Sequence, residues 1–267
     1  YGFTLNINGG EIKGGEQTLY LPGAGKTTIT GGKLTGSARG IEIRAGELTI
    51  TGGEISANVE RKTDAAANNG ASGSYTGALV AVKPASVSAS GYVGDIVLNI
   101  SGGTFTNASG DVLTVVHETA KAQNAPAQNV TVSVSDGQFT GAFNVGNTVN
   151  TTANDKLSIT GGTYSSDPTA YVAEGYEAVE NEGKWTVKPI FAGGSGTEAD
   201  PFLITSVEQW NAVNTASQQN FAKHGNKYTA EPSIFFALNT DLEITSGAKG
   251  KYGYYAIESL RSAQIDG

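Results

Sequence analysis

His117 and His224 are the two imidazoles of this chain, they stand far apart, and cysteine is absent. A Ser-His-Asp arrangement needs a histidine between nucleophile and carboxylate, while a thiolate nucleophile or a Cys-based metal site needs the residue that is missing. Paired carboxylates are the remaining route to catalysis. Glycoside hydrolysis takes two Asp or Glu facing a groove, and a β-eliminating lyase takes Ca²⁺-binding acids with a basic residue. Asp64, Asp95, Asp111, Glu118 and Asp136 are available, but none forms Asp-x-Asp or a repeated column, so they read as solvated turn acids. Tyr20-Leu21-Pro22-Gly23-Ala24-Gly25-Lys26-Thr27 approaches a phosphate-binding loop. Tyr20, however, takes the place of its first glycine, and a strand phrase follows where a helix N-terminus is required. No catalytic residue, metal site or cofactor is expected.

Residues suited to binding are of another kind. Tyr75, Tyr92 and Tyr171 lie in or beside extended segments, where rigid amphipathic rings serve protein or sugar contacts, with core or cap packing as the alternative. Arg61, Lys62, Asn68 and Asn69 accompany them in the longest such segment, Ala57 to Thr76. Asn6/Asn8, Thr28/Thr30, Thr49/Thr51, Asn99/Ser101 and Ser158/Thr160 form outward columns reminiscent of ice-binding ladders. Their mixed chemistry reads as ordinary solvent-facing strand residues. The Asn-x-Ser/Thr triplets at Asn99, Asn107, Asn129 and Asn150 are expected by chance in so Asn- and Thr-rich a chain.

The elements that position these residues follow from a repeated phrase. Thr4-Leu5-Asn6-Ile7-Asn8-Gly9-Gly10 returns at Thr27 to Gly32 and at Glu47 to Gly53, with steps of 22 and 21 residues. It returns again at Leu98 to Gly103, at Val132 to Gly137 with Asp136 in place of the first glycine, and at Leu157 to Gly162. Aligning the glycines yields three apolar columns. One holds Ile7, Ile29, Ile50, Ile100, Val134 and Ile159; another holds Leu5, Thr27, Leu48, Leu98, Val132 and Leu157. The third holds Ile12, Leu34, Ile55, Phe105, Phe139 and Tyr164. A further strand follows in most turns, as Leu19/Leu21, Ile41/Ile43, Val80/Val82, Leu113/Val115 and Phe143/Val145. Three short strands per turn at a fixed period near twenty residues predict an all-β chain coiled into a right-handed parallel β-helix with stacked aliphatic ladders inside. The glycines supply the sharp corners. Extra residues fall at Ala57 to Thr76, Lys83 to Gly94, His117 to Gln128 and Gly146 to Asp155, on the side where such repeats often bind.

The pattern closes after Tyr164, and Pro189 with Gly193-Gly194-Ser195-Gly196 marks a boundary. Residues 1–188 are expected to form the β-helix, and 189–267 the start of a second one with a capping helix near 206–223, opened by Ser206 and Gln209 as a capping box. The net charge of -8 argues against nucleic acid or an anionic membrane as partner, and no apolar run is long enough to span a bilayer. Methionine is absent and the first residues already read as a strand, which leads us to expect a processed or excised piece of a longer protein.

Ile41-Glu42-Ile43-Arg44-Ala45-Gly46-Glu47-Leu48-Thr49-Ile50-Thr51-Gly52-Gly53, the stretch Thr160 to Asp167 continuing through Gly175-Tyr176-Glu177-Ala178-Val179, and Gly194-Ser195-Gly196-Thr197-Glu198-Ala199-Asp200-Pro201-Phe202-Leu203-Ile204 resemble pectate-lyase-like, β-helical, adhesin-type modules of large surface proteins from gut Firmicutes. The resemblance runs over nearly the whole chain and is more specific for architecture than for activity. It implies a secreted or wall-attached protein that contacts host glycoproteins, immunoglobulins or glycans. The expected function is a non-catalytic binding module acting through the long loops, with Tyr75 and Tyr92 as anchors; a polysaccharide lyase or glycoside hydrolase of β-helix type is the alternative.

Overall fold

Alternating apolar and polar residues, interrupted by glycine pairs, dictate strands that must bury one face and turn sharply. The computed structural model describes residues 2–60, 75–83, 94–117, 128–146, 149, 155–213, 234–243 and 263–266. These are predominantly strands, so the chain is all-β. Clustering divides it into two compact units, one of Tyr1–Val172 with Ala178–Val187 and one of Ala173–Glu177 with Lys188–Gly267.

In the first unit the strands are β1 (Thr4–Lys13), β2 (Gln17–Leu21), β3 (Lys26–Thr35), β4 (Arg39–Ile43), β5 (Gly46–Ile50), β6 (Glu54–Ser56), β7 (Gly77–Lys83), β8 (Ile96–His117), β9 (Val130–Val145), β10 (Asp155–Ile159) and β11 (Thr163–Tyr164). Ladder partners between them are parallel. Ile7 stands beside Ile29, then come Ile50, Ile100, Val134 and Ile159, all buried. The column from Ile12 through Leu34, Ile55, Phe105 and Phe139 to Tyr164 is also in register. Since β3 and β8 each carry two ladders across a glycine corner, pairing closes a ring through β3, β5, β8 and β6. Side-chain bonds repeat the sequence period: Thr30 Oγ1 donates to Asn8 Oδ1 at 2.9 Å across 22 residues, and Ser56 Oγ to Thr35 Oγ1 at 3.2 Å across 21.

Glycine is required at the corners for two reasons. Gly32 has φ +96, and a Cβ there would stand 3.0 Å from the carbonyl oxygens of both Gly9 and Gly10. Gly162 has φ +94, and its Cβ would meet the Gly137 carbonyl and the Tyr164 hydroxyl at 2.9 Å. Positive φ is disfavoured for a residue with a Cβ, and the close backbone approach leaves no room for one.

One expected register fails. Leu79 and Ala81, not Val80 and Val82, continue the column of Leu19, Ile41, Leu113 and Phe143. A one-residue slip reverses every side chain, so Val80 and Val82 lie on the opposite face. That face is covered too, because Tyr75, Val80, Val82 and Val116 form a buried cluster. The run Ala78 to Val82 is therefore apolar on both sides, the signature of a strand with neither face in water.

The parallel progression ends at Tyr164. β12 (Tyr176–Asn181) and β13 (Lys184–Pro189) follow a 3₁₀ turn over Thr169–Tyr171, and β13 pairs antiparallel with β11, Thr163 opposite Thr186 and Tyr164 opposite Trp185. In the second unit β14 (Phe202–Ile204), β15 (Ile234–Leu238) and β16 (Ala263–Asp266) are parallel, and Phe191, Phe202, Ile204, Val213, Ile234 and Phe236 are buried together. Helix α1 is described over 207–213. Ser206 Oγ accepts from the Gln209 N–H at 3.2 Å, while Gln209 Oε1 reaches back to the Thr205 N–H at 2.7 Å instead of that of Ser206, so half of the expected capping box is displaced by one residue. The Glu208 carboxyl is held below its ordinary value by its own backbone N–H and by the Ser206 hydroxyl. The expected strand near Leu242 is not formed over 241–243.

The late tiers of the first unit are aromatic inside. Phe105 stacks on Phe139 at 4.6 Å and Phe139 on Tyr164 at 5.0 Å, with Phe143 tilted against Tyr164 and Tyr171. The Tyr164 hydroxyl donates to the Gly161 carbonyl at 2.6 Å. Burial, and then the charge of Asp136, push its phenol up from the ordinary value of 10.0. Ionisation is thus disfavoured in the folded chain only; the associated stability is complete below about pH 10 and is lost as pH rises beyond it. Denaturant unfolding between about pH 9 and 11 should show that decline. Tyr164→Phe, with no proton to lose, should flatten it, and identical slopes in both proteins would contradict the assignment.

Candidate functional site

The corner between the third strand of one tier and the first strand of the next is where the chain departs most from its own repeat. Early in the chain this corner is tight: Arg44 and Ala45 alone join β4 to β5. In the following tiers the chain leaves after Lys83, His117 and Val145 and returns at Ile96, Val130 and Asp155. Lys83 is paired with His117, and Ile96 and Asp155 both pair with Val130, so successive departures and returns are stacked on neighbouring strands. Parallel strands lie about 4.8 Å apart, which brings the bases of these excursions side by side.

Polar side chains fasten the returns. Gln128, almost fully buried, donates through Nε2 to the Gly94 carbonyl at 2.7 Å and to the Arg44 carbonyl at 3.1 Å. Asp95 accepts the Asn129 N–H on Oδ1 at 2.9 Å and Asn129 Nδ2 on Oδ2 at 3.2 Å. The backbone continues the ladder, with Gly46 N–H to Asp95 O at 2.8 Å and Ile96 N–H to Asn129 O at 2.9 Å. Three tiers are thereby joined where the excursions come back. Asp95, read from sequence as a solvated turn acid, is exposed but serves as this clasp.

The longest excursion leaves from another corner. Its feet are pinned as well: Ala57 N–H bonds Thr106 O at 2.9 Å, Val59 N–H bonds Asn107 Oδ1 at 3.2 Å, and Thr114 Oγ1 donates to Thr76 O at 2.8 Å. Asn107 Nδ2 donates to Asp111 O at 2.9 Å, and Asn107 is fully buried, which removes it as a glycosylation acceptor. Asp111 is buried also, against the expectation of a solvated turn acid, because β8 carries it through the interior.

Tyr75 corrects a further expectation. It is 9% exposed and packs on Val80, Val82 and Val116, so its ring belongs to the core and offers no anchor to a partner. Tyr171 is half-buried against Phe143 in the closing turn. Arg61, Lys62, Asn68, Asn69 and Tyr92, with Asp64, Glu118 and His224, lie outside the described residues. Lys26 opens β3, so the Tyr20 to Thr27 segment provides no helix N-terminus for phosphate.

A buried charged cluster of Arg39, Glu42 and Arg44 was not legible as such. Glu42 Oε1 receives Arg44 Nε at 2.5 Å and Glu42 Oε2 faces Arg39 Nε at 3.2 Å, all three residues being buried. Arg39 Nη2 reaches Glu16 at 2.7 Å and Nη1 donates to Tyr75 O at 2.9 Å. The alternation Ile41-Glu42-Ile43-Arg44 imitates a strand with one wet face. The signal that could have exposed it is the next tier, where Val80 occupies the position of Glu42 in an apolar run. Among the described residues no group of three or more His, Cys, Asp or Glu could hold a metal ion. Comparison with family models, with curated proteins and with solved structures finds no match to this chain.

Removing one member of a buried ion cluster leaves the others desolvated and uncompensated. Glu42→Ala should therefore lower the unfolding free energy by about 3 to 5 kcal/mol, far more than Glu16→Ala at the exposed end of the same network. Equal, small losses in chemical denaturation would show that Glu42 does not hold the two arginines.

Proposed function

We propose that the first unit is a right-handed parallel β-helix, that the second begins another, and that the chain serves as a non-catalytic binding module of a secreted or wall-attached adhesin-like surface protein. Parallel ladders stepping by about one repeat support the coil, and parallel connections within a sheet are overwhelmingly right-handed. The partner is a host protein, such as an immunoglobulin or mucosal glycoprotein, or a host glycan, a choice that follows from the resemblance to adhesin-type modules. Neither nucleic acid nor the bilayer is a partner on this reading. A net charge of -8 disfavours nucleic acid, and no helix among the described residues is long and apolar enough to cross a membrane.

One observation carries the reading: three long excursions depart from and return to stacked positions on adjacent strands, and the returns of the first two are clasped by Gln128, Asp95 and Asn129. Long segments add ordering cost without adding to the core, and a corner that Arg44 and Ala45 can close in two residues has no geometric need of them. Roots set side by side on a fastened base suit a contact surface shared by the segments they carry. The anchors are sought in residues 84–93 and 118–127, with Tyr92 as the aromatic candidate and Arg61, Lys62, Asn68 and Asn69 as polar contacts from the neighbouring excursion.

Replacing residues 84–93 and 118–127 by two-residue turns should leave the melting transition in place and abolish capture of the partner recovered from mucus or serum by the intact chain. Undiminished capture would move the site elsewhere. Steady product release from pectin or mucin glycans, dependent on a single acid, would replace the binding module by the polysaccharide-acting enzyme.

A further inference from the structure

The stacked glycine corners leave a feature that the excursions do not use. A straight, open trough of about 740 Å³ runs along the stack, floored by the corner glycines from Gly10 to Gly103 and walled by Lys33, Glu54, Thr104 and Gln138. The wall residues are in ladder register, Lys33 beside Glu54, Glu54 beside Thr104, Thr104 beside Gln138, so they repeat at the strand spacing of about 4.8 Å. Glu11 extends the row at one end and Thr163 at the other. Asn8, Thr30, Thr51 and Ser101, each exposed, stand immediately before a glycine pair.

We propose that this trough binds an extended, uncharged oligosaccharide laid along the stack with about one sugar per tier. Four features select that chemistry. The wall alternates acceptors and donors, from Glu11 through Lys33 and Glu54 to the Thr104 hydroxyl and the Gln138 amide, which suits a polyol that offers both at every residue. It has no surplus of basic charge, and Lys33 is already 3.5 Å from Glu54, so a polyanion finds no counter-charge in a chain whose net charge is -8. No apolar side chain lines it, which excludes a lipid or an apolar helix. An extended peptide is captured by strand addition to unpaired sheet-edge backbone, whereas the floor is made of corners inside the stack, where Gly53 O already accepts the Thr104 N–H at 2.9 Å. The wall side chains of Lys33 and Glu54 are more than half exposed, so both can meet sugar hydroxyls while remaining paired.

The trough lining shares no residue with 84–93 or 118–127, so its failure and that of the loop reading are told apart by the same proteins. Cellohexaose, xylohexaose and mannohexaose would be titrated into the full chain by calorimetry, with hexagalacturonate and an extended Ser/Gly peptide as comparators. At least one neutral hexasaccharide should bind, and more tightly than either comparator. Lys33→Ala with Gln138→Ala should weaken it about tenfold, the loss expected for two modest hydrogen bonds, while shortening 84–93 and 118–127 should not. Thr104→Tyr, which obstructs the trough without touching the other wall residues, provides an independent variant should the double variant melt early. Absence of binding by all three neutral sugars at millimolar concentration, preference for hexagalacturonate or the peptide, or affinity indifferent to both wall variants would overturn the proposal.

Discussion

Parallel register is the constraint on which this structure depends. Each tier presents Leu/Ile/Val positions that are half-covered by themselves and become buried only when the same positions of the next tier stand beside them, as Ile29 does between Ile7 and Ile50. Each such side chain contributes roughly 1.5 to 3 kcal/mol on burial, and a slip by one residue would turn the entire set outward. The glycine corners set the phase. With φ near +96 at Gly32 and Gly53, the chain turns without a side chain at a place where the previous corner's carbonyls leave no room for one. Apolar columns and glycine corners therefore select the same alignment.

That constraint also explains what lies outside the columns. Because the corners of each tier are stacked, the residues at which a segment leaves or returns at one corner lie beside those of the same corner in the next tier. The departures at Lys83, His117 and Val145 thus become neighbours without being close in sequence, and Gln128, Asp95 and Asn129 fasten the first two returns to each other and to the tier of Arg44. The glycine corner keeps a uniform length and carries the proposed trough; the other corners vary in length and carry the proposed loop face. In the proposed β-helix these are two kinds of surface made by one repeat.

The columns of Ile7, Leu5 and Ile12 could be read from the chain because the Gly-Gly pair marks the phase of every tier, and each expected neighbour in them is found. The third strand carries no such mark, and its register was misjudged at Val80 for that reason: with Ala78-Leu79-Val80-Ala81-Val82 apolar throughout, alternation offers no phase. The same loss of contrast hid the core role of Tyr75 and the buried Arg39, Glu42 and Arg44. Polar residues alternating with Ile41 and Ile43 imply a wet face only if nothing covers it, and the cover comes from residues distant in sequence such as Tyr75 and Gln128. The all-β class was legible because it resides in local period; the candidate site was not, since it is built from segments whose period is broken.

A chain without cysteine permits a direct test of register. Thr104 and Gln138 are ladder neighbours on an exposed face, with Cα atoms expected about 4.8 Å apart, inside the range that a disulfide spans. Thr104→Cys with Gln138→Cys should close to an intramolecular disulfide under mild oxidation, seen as a two-proton mass loss and a shifted mobility. Thr104→Cys with Thr140→Cys, displaced by two residues along the same strand, should remain reduced. Equal oxidation of both pairs, or closure of the displaced pair alone, would contradict the register and with it the stacked tiers on which the loop face and the trough are built.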